Sequence, residues 1–120
     1  EAATSIRRAL GVARAMHNAP CLGMALLALA NLRIAQARAL PQKHLDTRTR
    51  LLAHARQDIQ RALTLPGLEA ETHTRSLLTL TEIASLLEET DAAKTLAQQT
   101  IEEAQRYELV SVEQAARKLL

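Results

Sequence analysis

The sequence predicts an all-α chain, about six helices laid out as an antiparallel array of helix hairpins. Three observations carry that prediction. Its 120 residues include 23 Ala and 22 Leu, against three Val, five Ile, one Tyr and no Phe or Trp. Ala and Leu are strong helix formers, whereas the β-branched and aromatic residues that favour strands are nearly missing. Only three Gly and three Pro punctuate the chain, so its breaks are few and easily placed. One pattern also occurs three times, as Ala2-x3-Ile6-x2-Ala9, Ala55-x3-Ile59-x2-Ala62 and Ala97-x3-Ile101-x2-Ala104, at intervals of 53 and 42 residues. Small, large and small residues at i, i+4 and i+7 share one helix face. Recurrence at the length of a two-helix unit marks a helical repeat array.

The breakers divide the chain in order. A first helix from about Ala2 to His17 is stopped by Asn18-Ala19-Pro20. Asn18 or Ala19 caps a second helix, with Pro20 in its first turn, where a missing N–H costs nothing; it runs to about Ala39. Leu40 to Thr47, with Pro41 and Asp46, forms the longest connection. The third helix runs to about Leu65 and ends at Pro66-Gly67, and the fourth spans about Leu68 to Glu89. Thr90-Asp91 provides turn and cap for a fifth helix, which continues to about Tyr107. Ser111-x-x-Gln114 reads as a capping box opening the sixth. Leu26, Leu27, Leu29 and Leu32 of the second helix align with Leu77, Leu78, Leu80 and Ile83 of the fourth at an offset of 51, while the third and fifth are offset by 42. The nine-residue difference places an insertion in the loop around Leu40 to Arg50.

With its loop insertion removed, this pairing resembles tetratricopeptide-like repeats, in particular the longer-helix variety of bacterial signalling and transcription-regulator proteins. The second helix of such a pair carries Ala, a large apolar residue and Ala, as Ala55, Ile59 and Ala62 do; the first carries a Leu-rich pattern, as Leu77 to Ala84 does. The aromatic positions and the inner-turn glycine of that family are missing, and Thr90-Asp91-Ala92 stands in the turn region. The resemblance implies one domain over 1–120: a closing helix at 1–18, a pair with a loop insertion at 19–65, a pair at 66–107 and an opening helix at 108–120. Both ends fall inside helical patterns, so a piece of a longer protein is expected.

Charge is divided rather than biased. The net charge is +2, but residues 1–61 carry +7 and residues 62–120 carry −5. The single Cys21 excludes an internal disulfide and fits a reducing cytoplasm. The longest wholly apolar run, Cys21 to Ala30, is ten residues, too short to span a bilayer, so no membrane is expected.

The chemistry-bearing residues read more simply as structure. Cys21 follows His17 by four residues, but the Asn18-Ala19-Pro20 break separates them, and Cys21 is expected to be a small buried hydrophobe. His54 and Asp58 at i, i+4 are expected to be a solvated pair, and His44 and His73 have no metal-ligand spacing. Glu88-Glu89 and Glu102-Glu103 diverge around their helices. No phosphate loop, nucleophile motif, cofactor signature or metal cluster is found, and no enzyme is expected. Arg7, Arg8, Arg14, Arg48, Arg50, Arg56 and Arg61 raise nucleic-acid binding as a third reading, although single strands also demand stacking aromatics and the lone aromatic is Tyr107.

What remains is a protein-interaction scaffold with a protein or peptide partner, alternatively a sensor binding a small molecule or peptide on its concave face. First helices line that face in the family resembled, so Asn31, Arg33, Gln36 and Glu82 are the candidate partner-binding residues. Self-association is also expected, through Val112, Ala115, Ala116, Leu119 and Leu120 at one end and Ile6, Ala9 and Ala13 at the other, faces with no following or preceding helix.

Overall fold

The computed structural model describes residues 2–15 and 18–120; Met16, His17 and the side chains of Ala2 and Ala13 fall outside the described residues. Six α-helices are found and, among the described residues, no strand: α1 (Ala2–Ala15), α2 (Ala19–Ala39), α3 (Leu45–Leu63), α4 (Ala70–Leu86), α5 (Thr90–Arg106) and α6 (Val110–Arg117), with a one-turn 3-10 helix at Gln42–His44. The Asn18 side chain accepts the Cys21 backbone N–H at 3.1 Å and caps α2, satisfying an otherwise orphaned donor. The expected long loop is mostly helix. α3 begins at Leu45, and α2 and α3 are 21 and 19 residues long against 17 for each of α4 and α5. Extra turns therefore absorb much of the insertion.

Two junctions share one device. Glu88 (φ 59) and Glu108 (φ 58) adopt the left-handed conformation. In each, the next residue's N–H reaches back to close the preceding helix, Glu89 to the Ala84 carbonyl at 2.9 Å and Leu109 to that of Ala104 at 2.8 Å. This is a Schellman closure, with the following helix starting at once. It corrects the capping box: α6 starts at Val110, its N-cap Leu109 makes no side-chain bond, and Ser111 already lies inside the helix.

The helices form two layers. α2 packs on α4, and α4 on α6; among the described residues α1 packs only on α2, α3 on α2 and α4, and α5 on α4 and α6. Extents of 39 × 38 × 20 Å give a slab whose thickness holds two helices of about 10 Å diameter. The core follows this seam. One cluster joins Ala30, Ile34 and Ala37 of α2 to Leu52, Ala55 and Ile59 of α3 and Ile83 of α4. A second joins Leu10 of α1, Ala25, Leu26 and Leu29 of α2, and Ala62 of α3. Burying Leu26, Leu52, Ile59 and Ile83, each exposed by 1% or less, stabilises the fold by about 1.5–3 kcal/mol per side chain. Ala55, Ala62 and Ala97 are fully buried, which lets helix axes approach.

Several expectations are corrected. The repeated motif is buried in α3 and α5, but in α1 Ala9 is exposed, because α1 meets only α2, through Ile6 and Leu10. The offset of 51 aligns letters but not environments: Leu26 and Leu29 are buried, whereas Leu77 and Leu80 are half-buried. In α4 the buried positions are largely Thr72, Thr74, Ser76, Thr79 and Thr81. Thr74, Ser76 and Thr81 each donate to the carbonyl four residues earlier, at 2.8 Å, so their hydroxyls enter the core already partnered. Val112 and Ala116 of α6 are buried within the chain, and of that face only Leu120 is strongly exposed. Cys21 is exposed, not buried, since Leu22, Gly23, Ala25 and Leu26 take the inward positions. α2 also has the length and composition to cross a membrane, through an 18-residue window of mean hydropathy 1.3; the ten-residue run alone understated it. Here it is covered by α1, α3 and α4.

Candidate functional site

The clearest receptive surface lies where α2 meets α4. Along α2, Met24, Ala28, Asn31 and Ala35 fall at i, i+4, i+7 and i+11 and are all exposed, one outward stripe along the helix. Along α4 the matching stripe is Glu71, Arg75, Leu78 and Glu82. Between their N-terminal parts opens a cavity of about 330 Å³, with Met24, Leu27 and Ala28 as its apolar wall and Asn31, Glu69, Glu71, Thr72 and Arg75 around it. Leu65 and Leu68 of the α3–α4 connection pack beside this wall at Gly23, where a Cβ would lie 2.2 Å from Leu68 Cδ1.

Polar contacts fix the stripes to one another. Thr79 Oγ1 donates to Asn31 Oδ1 at 3.1 Å, and Arg38 pairs with Glu82 at 3.0 Å. Glu71 pairs with Arg75 at 3.0 Å within α4. Of the four candidate residues, Asn31 and Glu82 therefore lie on this surface, each engaged across the helix pair. Gln36 is exposed on α2 and five residues past Asn31, off the stripe by about 140°. Arg33 turns toward α3, where it pairs with Asp58. That pair also corrects the expected His54–Asp58 contact: Asp58 is drawn across to Arg33 and is half-buried. Burial pushes its carboxyl above the ordinary range, opposed by the charges of Arg33, His54 and Arg61.

Two further cavities flank the core. One of about 440 Å³ lies between the start of α3 and the end of α4, lined by Gln42, Leu45, Arg48, Thr49, Leu52, Leu86, Leu87 and Glu88. Another, of about 310 Å³, lies between α4 and α5 beside Glu103, whose carboxylate meets His73 Nδ1 at 2.6 Å and shares the Thr74 hydroxyl proton, at 2.9 Å, with the Ala70 carbonyl. Among the described residues no three His, Cys, Asp or Glu side chains converge as metal ligands. Compared with known proteins, the chain matches no family model, no curated protein and no solved structure.

Sequence reasoning missed Met24, Ala28 and Arg75. Met24 and Ala28 sit inside a run that is apolar on every side, so only the position of the neighbouring helices reveals which residues stay uncovered.

Proposed function

We propose that this chain is a protein-interaction scaffold of tetratricopeptide-like helix pairs, part of a larger cytoplasmic bacterial regulator, and that its partner lies along α2 and α4. The class of regulator rests on the family resemblance alone, and the location on the single Cys21. The observation that carries the interaction reading is the exposed Met24-Ala28-Asn31-Ala35 stripe, in which small and flexible apolar residues face outward beside Arg75 and Glu82. Such a surface suits an extended or helical peptide that inserts an apolar side chain against Met24 and Ala28 and is oriented by the polar rim. Selection of peptides from a random library on the purified chain tests this. Peptides should be recovered, and Ala28→Arg should abolish their binding while leaving the helical circular dichroism and its melt unchanged. Failure to select any peptide, or binding indifferent to Ala28→Arg, refutes the reading.

The sensor alternative has one observation in its favour. The 440 Å³ cavity combines Leu45, Leu52, Leu86 and Leu87 with Gln42, Arg48, Thr49 and Glu88, apolar and polar groups in equal number around a cleft of a size that small ligands occupy. Thermal-shift screening of a metabolite library distinguishes the readings, because a ligand held there loses its shift on Leu86→Ala and keeps it on Ala28→Arg.

A further inference from the structure

Apart from Lys43 on the 3-10 turn and Arg48, which lines the cavity shared with α4, the basic residues of the first 61 positions fall into two groups. Arg33, Arg38 and Arg56 are engaged, with Asp58, Glu82 and Glu89. Arg7, Arg8 and Arg14 on α1, with Arg50 and Arg61 on α3, are exposed and form no ion pair among the described residues. These five lie on the same layer of the slab. α1 and α3 both pack on α2 without contacting each other among the described residues, and Leu10 and Ala62 belong to one core cluster through Ala25, Leu26 and Leu29. On α3, Arg50, His54, Gln57 and Arg61 recur at i, i+4, i+7 and i+11, on the side away from the buried Leu52, Ala55, Ile59 and Ala62. Asp46, in the first turn of α3, is the exposed acid among the described residues of these two helices.

We propose that the outer face of α1 and α3 binds the phosphate backbone of a double-stranded nucleic acid, without reading its sequence. The composition of the face selects this partner. Protein interfaces draw most of their energy from Trp, Tyr and Arg seated in buried pockets, and this face offers arginines but no aromatic: between them stand Ser5, Gly11, His54 and Gln57. Leu45, the large exposed apolar residue of α3, belongs instead to the cavity shared with α4. A single strand would be held by stacking on aromatics, and the lone aromatic, Tyr107, lies at the end of α5. Arginines with amide and hydroxyl donors, set on a rigid plane, are what phosphate oxygens require. The net −5 of residues 62–120 disfavours a polyanion elsewhere and confines it to this side.

Fluorescence anisotropy with labelled DNA and RNA duplexes of one arbitrary sequence, about two helical turns long, tests the proposal on the chain itself. Five phosphate contacts give a log–log salt slope of about −4 to −5, so affinity should fall by several hundredfold between about 50 and 200 mM salt. The duplex that binds more tightly identifies the natural form. The double variant Arg8→Ala/Arg61→Ala should lower the slope by about two and weaken binding by about tenfold or more. The pair Lys94→Ala/Lys118→Ala, which removes the same charge from α5 and the end of α6, should change affinity by no more than about twofold. No binding at the lowest salt overturns the proposal. So does tighter binding of a polyglutamate peptide, which assigns the face to an acidic protein. Equal weakening by the two double variants also overturns it, because net charge alone would then account for the affinity. Peptide binding on the α2–α4 surface is unaffected by any of these outcomes.

Discussion

Glu88 and Glu108 hold the left-handed backbone of the two tightest turns, a conformation that costs an L-residue with a Cβ about 1–2 kcal/mol and glycine almost nothing. Neither side chain takes part in the ion pairs of the described residues. Glu88→Gly and Glu108→Gly should therefore each stabilise the chain by about 0.5–1 kcal/mol, after the extra entropy of an unfolded glycine is subtracted. Differential scanning calorimetry should show a rise in Tm of about 2–4 °C for each, and a fall would mean that the glutamates make contacts outweighing the strain. Asp58 gives a residue-scale prediction with a sign. Its carboxyl is raised by burial, so the folded state holds the proton more tightly than the unfolded one. Ionisation then weakens folding as pH rises through about 4 and above. The stability of the native chain minus that of Asp58→Asn, from urea melts at stepped pH, should decrease over that range. A difference that grows with pH would show Arg33 outweighing burial. These residues also mark where the sequence was illegible. Asn18 announced its cap because Asn before Pro20 has few other uses, whereas the left-handed turns gave no signal without glycine. Ser111 and Gln114 gave a false one, since backbone closure at Leu109 had already ended the turn.

Among the elements, α3 and α5 were the most legible, because their Ala-Ile-Ala faces are packed as the spacing implies. Ala62→Leu should overpack the α2–α3 contact, where Ala62 is fully buried beside Leu26 and Leu29, and cost about 1–3 kcal/mol. An unchanged denaturation midpoint would show that the seam yields to the added volume. α4 was misread for a chemical reason. Thr and Ser count as polar in any hydropathy pattern, yet a hydroxyl bonded to its own helix presents mainly methyl and methylene surface to the neighbour. Thr81 and Thr100, both fully buried and 3.3 Å apart, make a core contact that no apolar periodicity would reveal. The α2–α4 surface was half-legible for the opposite reason: Asn31 and Glu82 stood out as polar, while Met24 and Ala28 resembled core.

At the scale of the molecule, contacts pass from each helix to the next one or two, and among the described residues α1 touches neither α5 nor α6. A chain of local contacts opens from its ends. Native-state hydrogen exchange should find the amides of α1, held by α2 alone, exchanging fastest, and those of α4, which contacts α2, α3, α5 and α6, slowest. Uniform protection through all six helices would mean that the slab unfolds as one cooperative body.

The enclosure of α2 has a consequence during synthesis. This helix emerges from the ribosome before α3 and α4, the elements that cover two of its sides. At about 5–20 residues per second, several seconds separate its appearance from the completion of Leu86. For that interval this 21-residue, largely apolar helix lacks two of the elements that later cover it. Arg33 and Arg38, whose acidic partners Asp58 and Glu82 have not yet been made, then carry bare charge. Those two arginines oppose entry into a bilayer until their counterions arrive, so the ion pairs that later tie α2 to α3 and to α4 begin as safeguards on an unfinished chain.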